Sequence, residues 1–152
     1  MVKSMKRSVG CAMLVSCLAA CASNTRWSEF EQTEPSLVAA HIFASIECTG
    51  QEECGMRWQR TKEYVSRFSA TRIQHADGNG IETAQPHEEG VVYLSATQVP
   101  LDGPGERARI KLKGMCRGMY KDDGSPGLFY ASCANEIRSI ETNFRGFVLA
   151  PA

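Results

Sequence analysis

Arg107-Ala108-Arg109-Ile110-Lys111-Leu112-Lys113-Gly114-Met115 is the stretch whose reading decides the fold. Apolar and basic residues alternate with period two, so Ala108, Ile110 and Leu112 point one way while Arg107, Arg109, Lys111 and Lys113 point the other. That is a strand with one buried and one solvated face. Just before it, Val91 to Val99 is nearly continuous in β-formers and reads as a central strand. Pro100-Leu101-Asp102-Gly103-Pro104-Gly105 separates the two as a turn or short loop. Thr71 to Ala76 and Ile81 to Ala84 add a hairpin across Asp77-Gly78-Asn79-Gly80, whose glycines are expected to supply positive φ.

Helical patterns flank this meander. From Glu52 to Phe68, Trp58, Val65 and Phe68 share one face with Thr61 between them, and Glu52 and Glu53 occupy the first turn. Near the C-terminus, Ser132 is positioned to cap a helix carrying Ala134, Ile137, Ile140 and Phe144, with Gly146 closing it. Ser36 to Ile46 fits either a helix or a strand. The expected fold class is α+β: an antiparallel sheet of about four strands, with a helix before and a helix after packed on one face. Trp58, Phe68, Ile140 and Phe144 are expected to supply much of its core.

The first residues read as an export signal. Lys3, Lys6 and Arg7 precede an apolar run from about Val9 to Ala19, too short to span a bilayer, and Leu18-Ala19-Ala20-Cys21 forms a lipobox. Leu14-Val15-Ser16-Cys17 is a looser match with a shorter apolar lead-in, whereas Cys21 is followed by polar Ala22-Ser23-Asn24-Thr25. The expectation is a signal over 1–20, a lipidated Cys21 with a tether over 21–35, and one domain over 36–152. Ser23, where an Asp would retain the protein at the inner membrane, favours the outer membrane. Three of the 17 basic residues leave with the signal, so 14 basic face 17 acidic ones, a net charge of −3. Neither that charge nor export favours nucleic acid as a partner.

Cysteine usage agrees with export. Beyond Cys11, Cys17 and Cys21, four remain: Cys48, Cys54, Cys116 and Cys133. An even number in an exported chain implies two disulfides with three connectivities. Closeness in sequence favours Cys48–Cys54 and Cys116–Cys133. Their five and sixteen intervening residues do not match zinc-ligand spacing, and no His stands beside them. No metal or other cofactor is expected.

Trp58-Gln59-Arg60, Tyr64-Val65, Arg72-Ile73-Gln74 and Ile81-Glu82-Thr83 resemble a family of small uncharacterised proteobacterial outer-membrane lipoproteins. The resemblance spans about Arg57 to Cys116 and leaves Arg117 to Ala152 outside the pattern. It implies an exported lipoprotein of this fold and no catalytic residue.

Familiar chemical motifs fail on inspection. Aligned on a calcium loop, Asp77-Gly78-Asn79-Gly80 puts His75 and Pro86 at ligand positions, and His87-Glu88-Glu89-Gly90 lacks the second His of a zinc protease. His41, His75 and His87 are scattered, and no G-x-S-x-G or phosphate loop occurs. The chain is therefore expected not to be an enzyme. Its one charged constellation with geometry is the row Arg107, Arg109, Lys111 and Lys113, suited to an anionic partner unless Glu82, Glu88 or Glu89 neutralises it. Two functions follow. One is a lipid-anchored, periplasm-facing binding or envelope-assembly module, held by its N-terminal lipid and meeting an envelope protein or an anionic polymer. The other is an inhibitor or immunity protein against a cell-wall hydrolase, acting through the loop Lys121 to Gly127.

Overall fold

The computed structural model describes residues 9–102 and 106–151, with side chains from Thr25 onward. Its elements in chain order are α1 (Val9–Phe43), β1 (Ser45–Thr49), α2 (Gln51–Phe68), β2 (Ile73–Ala76), β3 (Gly80–Thr83), β4 (Val92–Pro100), β5 (Arg107–Cys116) and α3 (Tyr130–Leu149). The class is α+β, with a five-stranded antiparallel sheet in the order β1-β5-β4-β3-β2. Strands β2 to β5 form the expected meander, and β1 is a fifth strand beside β5.

The alternation along β5 is realised: Ala108, Ile110, Leu112 and Gly114 are buried, while Arg107, Arg109, Lys111 and Lys113 are exposed. The buried sides of β1, β3 and β4 contribute Ile46, Cys48, Ile81, Val92, Leu94 and Ala96 to the same core. Helix α2 closes that core with Trp58, Tyr64 and Val65, and α3 with Ala134, Ile137, Ile140 and Phe144. Burying each large apolar side chain is worth roughly 1.5–3 kcal/mol. Two polar ties fix the helices: Trp58 Nε1 donates to Asp77 O at 2.8 Å, and Tyr64 Oη to Ile140 O at 2.6 Å. Burial pushes the Tyr64 phenol up to about 12.

Several expectations need correcting. Ser36 to Ile46 is both helix and strand, and Ala44 is the hand-over residue. Its N–H closes α1 on Ala40 O at 2.9 Å, and its carbonyl accepts from Leu112 N at 2.9 Å to begin the sheet. The segment over 21–35, expected as a tether, is helical within α1, and its Phe30 docks against the core on the same helix face as Leu37, two turns before it. Pro35 lies inside this helix and is exposed. Phe68 is 37% exposed, its ring lying on Tyr64 and Phe147 at the core's edge. Ser132 does not cap α3: Phe129 is the N-cap, and Ser132 Oγ donates back to its carbonyl at 3.0 Å. Nor does Gly146 end α3, since Phe147 and Val148 beyond it still pack inward.

The β2–β3 turn is built by a side chain instead of by glycine backbone. Asp77 Oδ1 accepts from Asn79 N at 2.7 Å and Gly80 N at 2.8 Å, and neither Gly78 nor Gly80 takes positive φ. The bond from Asn79 first, then the His75 ring at 2.9 Å from Oδ2 and the bond from Gly80, hold the Asp77 carboxyl down at about 2. Gly50, by contrast, needs its freedom. At φ +77° it turns β1 directly into α2, so that Cys48 and Cys54 come to a Cα separation of 5.1 Å and pair. Cys116 and Cys133 pair at 6.0 Å, tying the end of β5 to the first turn of α3. Both disulfides follow the favoured connectivity.

Candidate functional site

The uncovered face of the sheet carries the basic row. Alternate positions on a strand are about 6.6–6.8 Å apart, so Arg107 to Lys113 spans roughly 20 Å. Register fixes each neighbour. Arg107 stands opposite Thr49, Arg109 between Glu47 and Val99, Lys111 between Ser45 and Thr97, and Lys113 beside Ser95. None of these neighbours is basic, and only Glu47 is acidic.

Neutralisation is partial and comes from residues that the sequence did not nominate. Arg109 Nη2 donates to Glu47 Oε1 at 2.8 Å, and Arg107 Nε to Asp102 Oδ2. The Arg107 bond holds the Asp102 carboxyl below its usual range and raises the Arg107 guanidinium. Glu82 shares the face but stands opposite Ser95, a strand away from Lys113, with no ion pair between them. Glu88 and Glu89 lie in the exposed loop before β4 and pair with none of the row. Among the described residues, Lys111 and Lys113 have no acidic partner within ion-pair distance. Glu47 was missed because β1 itself was not recognised as a strand.

Beside the row a cleft of about 580 Å³ opens along β1, lined by Ile42, Ser45, Glu47, Arg109, Lys111 and Arg145. Arg145 reaches it from α3, its guanidinium 4.8 Å from the Phe43 ring centroid. Ile42 is 70% exposed at the same rim. The cleft thus joins three cations to an apolar lip.

The loop Lys121 to Gly127 is a compact, self-bonded turn. Lys121 N donates to Ser125 O and Gly124 N to Lys121 O, both at 2.9 Å, while Tyr120 and Pro126 form an isolated bridge. Gly127 cannot carry a side chain here, since a Cβ would stand 2.2 Å from Gly118 O. The tip, Lys121 to Gly124, is exposed. Behind the loop, Glu34 of α1 accepts from Tyr130 Oη at 2.6 Å and Tyr120 Oη at 3.1 Å, over an aromatic cluster with Phe30.

A buried acid–histidine pair was also missed. Glu141 of α3 is fully buried, and its Oε1 accepts from Gly114 N at 2.7 Å. His41 Nδ1 stands 2.8 Å from Oε1 and 2.7 Å from Oε2. The half-buried ring is oriented as a base would be, yet among the described residues no hydroxyl or thiol bonds to it. Its visible role is to tie α1, α3 and β5 together. The signal was present: 134, 137, 141, 144 and 148 repeat at three and four, and Glu141 occupies an apolar stripe.

Cys21 falls within α1, and its side chain lies outside the described residues. Among the described residues no helix is long and apolar enough to cross a membrane. Searches against protein-family models, curated proteins and solved structures find no match to this chain.

Proposed function

We propose that this protein is a non-enzymatic envelope module, anchored to the outer membrane through a lipid on Cys21 and facing the periplasm, whose open sheet face receives an anionic partner. Support comes first from the lipobox and from two disulfides in a small domain. The observation that carries the binding reading is the half-neutralised cation row. A chain of net charge −3 after residue 20 sets four cations on one exposed strand face and, among the described residues, provides ion-pair partners for two of them. An acidic surface docking there would give the two unpaired cations their partners.

Replacing Arg107, Arg109, Lys111 and Lys113 together by Gln tests the reading. Stability should hold, because Ala108, Ile110 and Leu112 keep the strand in the core and exposed ion pairs contribute only about 0–1 kcal/mol each. Capture of acidic envelope proteins or anionic polymers at low salt should collapse, and wild-type capture should fade as the Debye length shrinks toward roughly 8 Å. A variant that unfolds while wild-type capture ignores salt would make the row an ion-pair ladder. Capture of a cell-wall hydrolase that survives the four changes would move the function to the loop Lys121 to Gly127.

A further inference from the structure

Among the described residues, strand β1 ends the sheet on one side and pairs only with β5. Gly50 N donates to Glu106 O and Leu112 N to Ala44 O. With the register Ile46↔Ile110 and Cys48↔Ala108, these bonds set the alternation of an antiparallel ladder. The backbone groups of Ile46 and Cys48 therefore face β5, and those of Ser45 and Glu47 face outward. Thr49 N, the next outward donor, is already taken by Glu53 Oε2 at 2.8 Å. The open edge is thus short and has a defined end.

The two edges of the sheet are treated differently. β2 is interrupted by a register shift between Ile73 and His75, a device that spoils further pairing. β1 carries no bulge, no Pro and no Lys, and its five pairs with β5 run unbroken. Its only charge, Glu47, is turned onto the open face and engaged by Arg109.

We propose that β1 accepts a sixth strand: an extended segment of a partner protein in which acidic and apolar residues alternate. This rests on the reading of the basic face as a binding surface and names the form of its ligand. Side chains of an added strand alternate between the sheet's two faces. Opposite Ser45, a small residue, an acidic side chain on the open face meets Lys111 across the gap. On the other face, an apolar side chain beside Ile46 covers Ile42, with Arg145 at the rim. Main-chain hydrogen bonds then supply affinity, and the cation-lined cleft selects the acidic sequence. The headgroups of the anchoring leaflet are a poor alternative. Phe43 lies about 27 Å along α1 from Thr25, at 1.5 Å per residue, so the cleft sits at the helix end remote from Cys21.

A labelled seven-residue peptide alternating Val and Glu, titrated by fluorescence anisotropy into the unlipidated domain, tests the proposal. It should bind, and the same peptide with Lys for Glu should not. In an antiparallel addition the Glu nitrogens face β1, so methylating them should weaken binding by at least about tenfold, while methylating the Val nitrogens leaves it. The reverse pattern marks a parallel strand and equally supports strand addition. Lys111→Gln with Arg145→Gln should cost about tenfold. Equal binding of the parent and both methylated peptides, still abolished by salt, would overturn strand addition and leave the basic-face reading standing. Parent-peptide binding that ignores the four Gln changes in the row would sink the basic-face reading instead. No binding of the parent peptide would overturn the proposal.

Discussion

Glu34 shows how one carboxylate can hold a helix to a loop. Tyr120 and Tyr130 donate to it from opposite ends of the loop segment, and Phe30 packs its ring against both phenols. Burial first, and the Glu34 charge and hydrogen bond after it, push the Tyr120 phenol up to about 12 and raise Tyr130 as well. Both folded values lie above the unfolded one of about 10. The stabilisation is therefore whole below pH ~10 and is lost as pH rises through the folded values. In a spectrophotometric titration, Glu34→Gln should bring Tyr120 and Tyr130 down toward, yet not to, the free value. Tyr64, raised by burial alone, should not move. No local pattern announces Glu34, since its partners lie 86 and 96 residues away. Glu141 was more legible, because a lone acid in an apolar stripe marks a buried partner before that partner is known.

Elements were legible where a clean period ran through them, and length alone was not enough: α1, the longest at 35 residues, carries no amphipathic period that marks it as one helix. β5 and α2 declare themselves over ten and eighteen residues, and both lie within a residue or so of where the pattern puts them. β1 has five residues, of which only Ile46 and Cys48 face inward, and it follows α1 with one residue between. Two apolar positions are too few to separate period 2 from 3.6. The Cys116–Cys133 staple works at this scale, binding the start of α3 to the end of β5 across the exposed loop. Closing a loop of this length stabilises by about 3 kcal/mol in the chain-entropy treatment. Cys116→Ser with Cys133→Ser should lose about that much in urea unfolding and speed proteolysis between Lys121 and Gly127. The Cys48–Cys54 bond should persist in peptide maps of the variant.

At the scale of the whole molecule, helices cover one face of the sheet and leave the other to its charges. The proposed anchor lies at the opposite end of α1 from the cation-lined cleft, an arrangement that presents the cleft away from a membrane. Intact-mass measurement of the mature protein should give a chain that begins at an acylated Cys21, and Cys21→Ser should release it from the membrane fraction. An unlipidated mature chain beginning elsewhere would remove the anchor and its orientation together.

What the sequence determined by itself was local. Alternation placed β5 and chose its exposed face, amphipathic spacing placed α2 and α3, and nearness in the chain paired the cysteines correctly. These follow from geometry repeated every two or 3.6 residues, which any window of the chain carries. The tertiary structure decided everything that joins distant segments: β1 as the open edge, Glu47 and Asp102 as the row's partners, Arg145 in the cleft, and His41 on Glu141. Such pairings depend on which elements become neighbours once the core is buried. That choice is made by packing summed over the whole chain, and no single window records it.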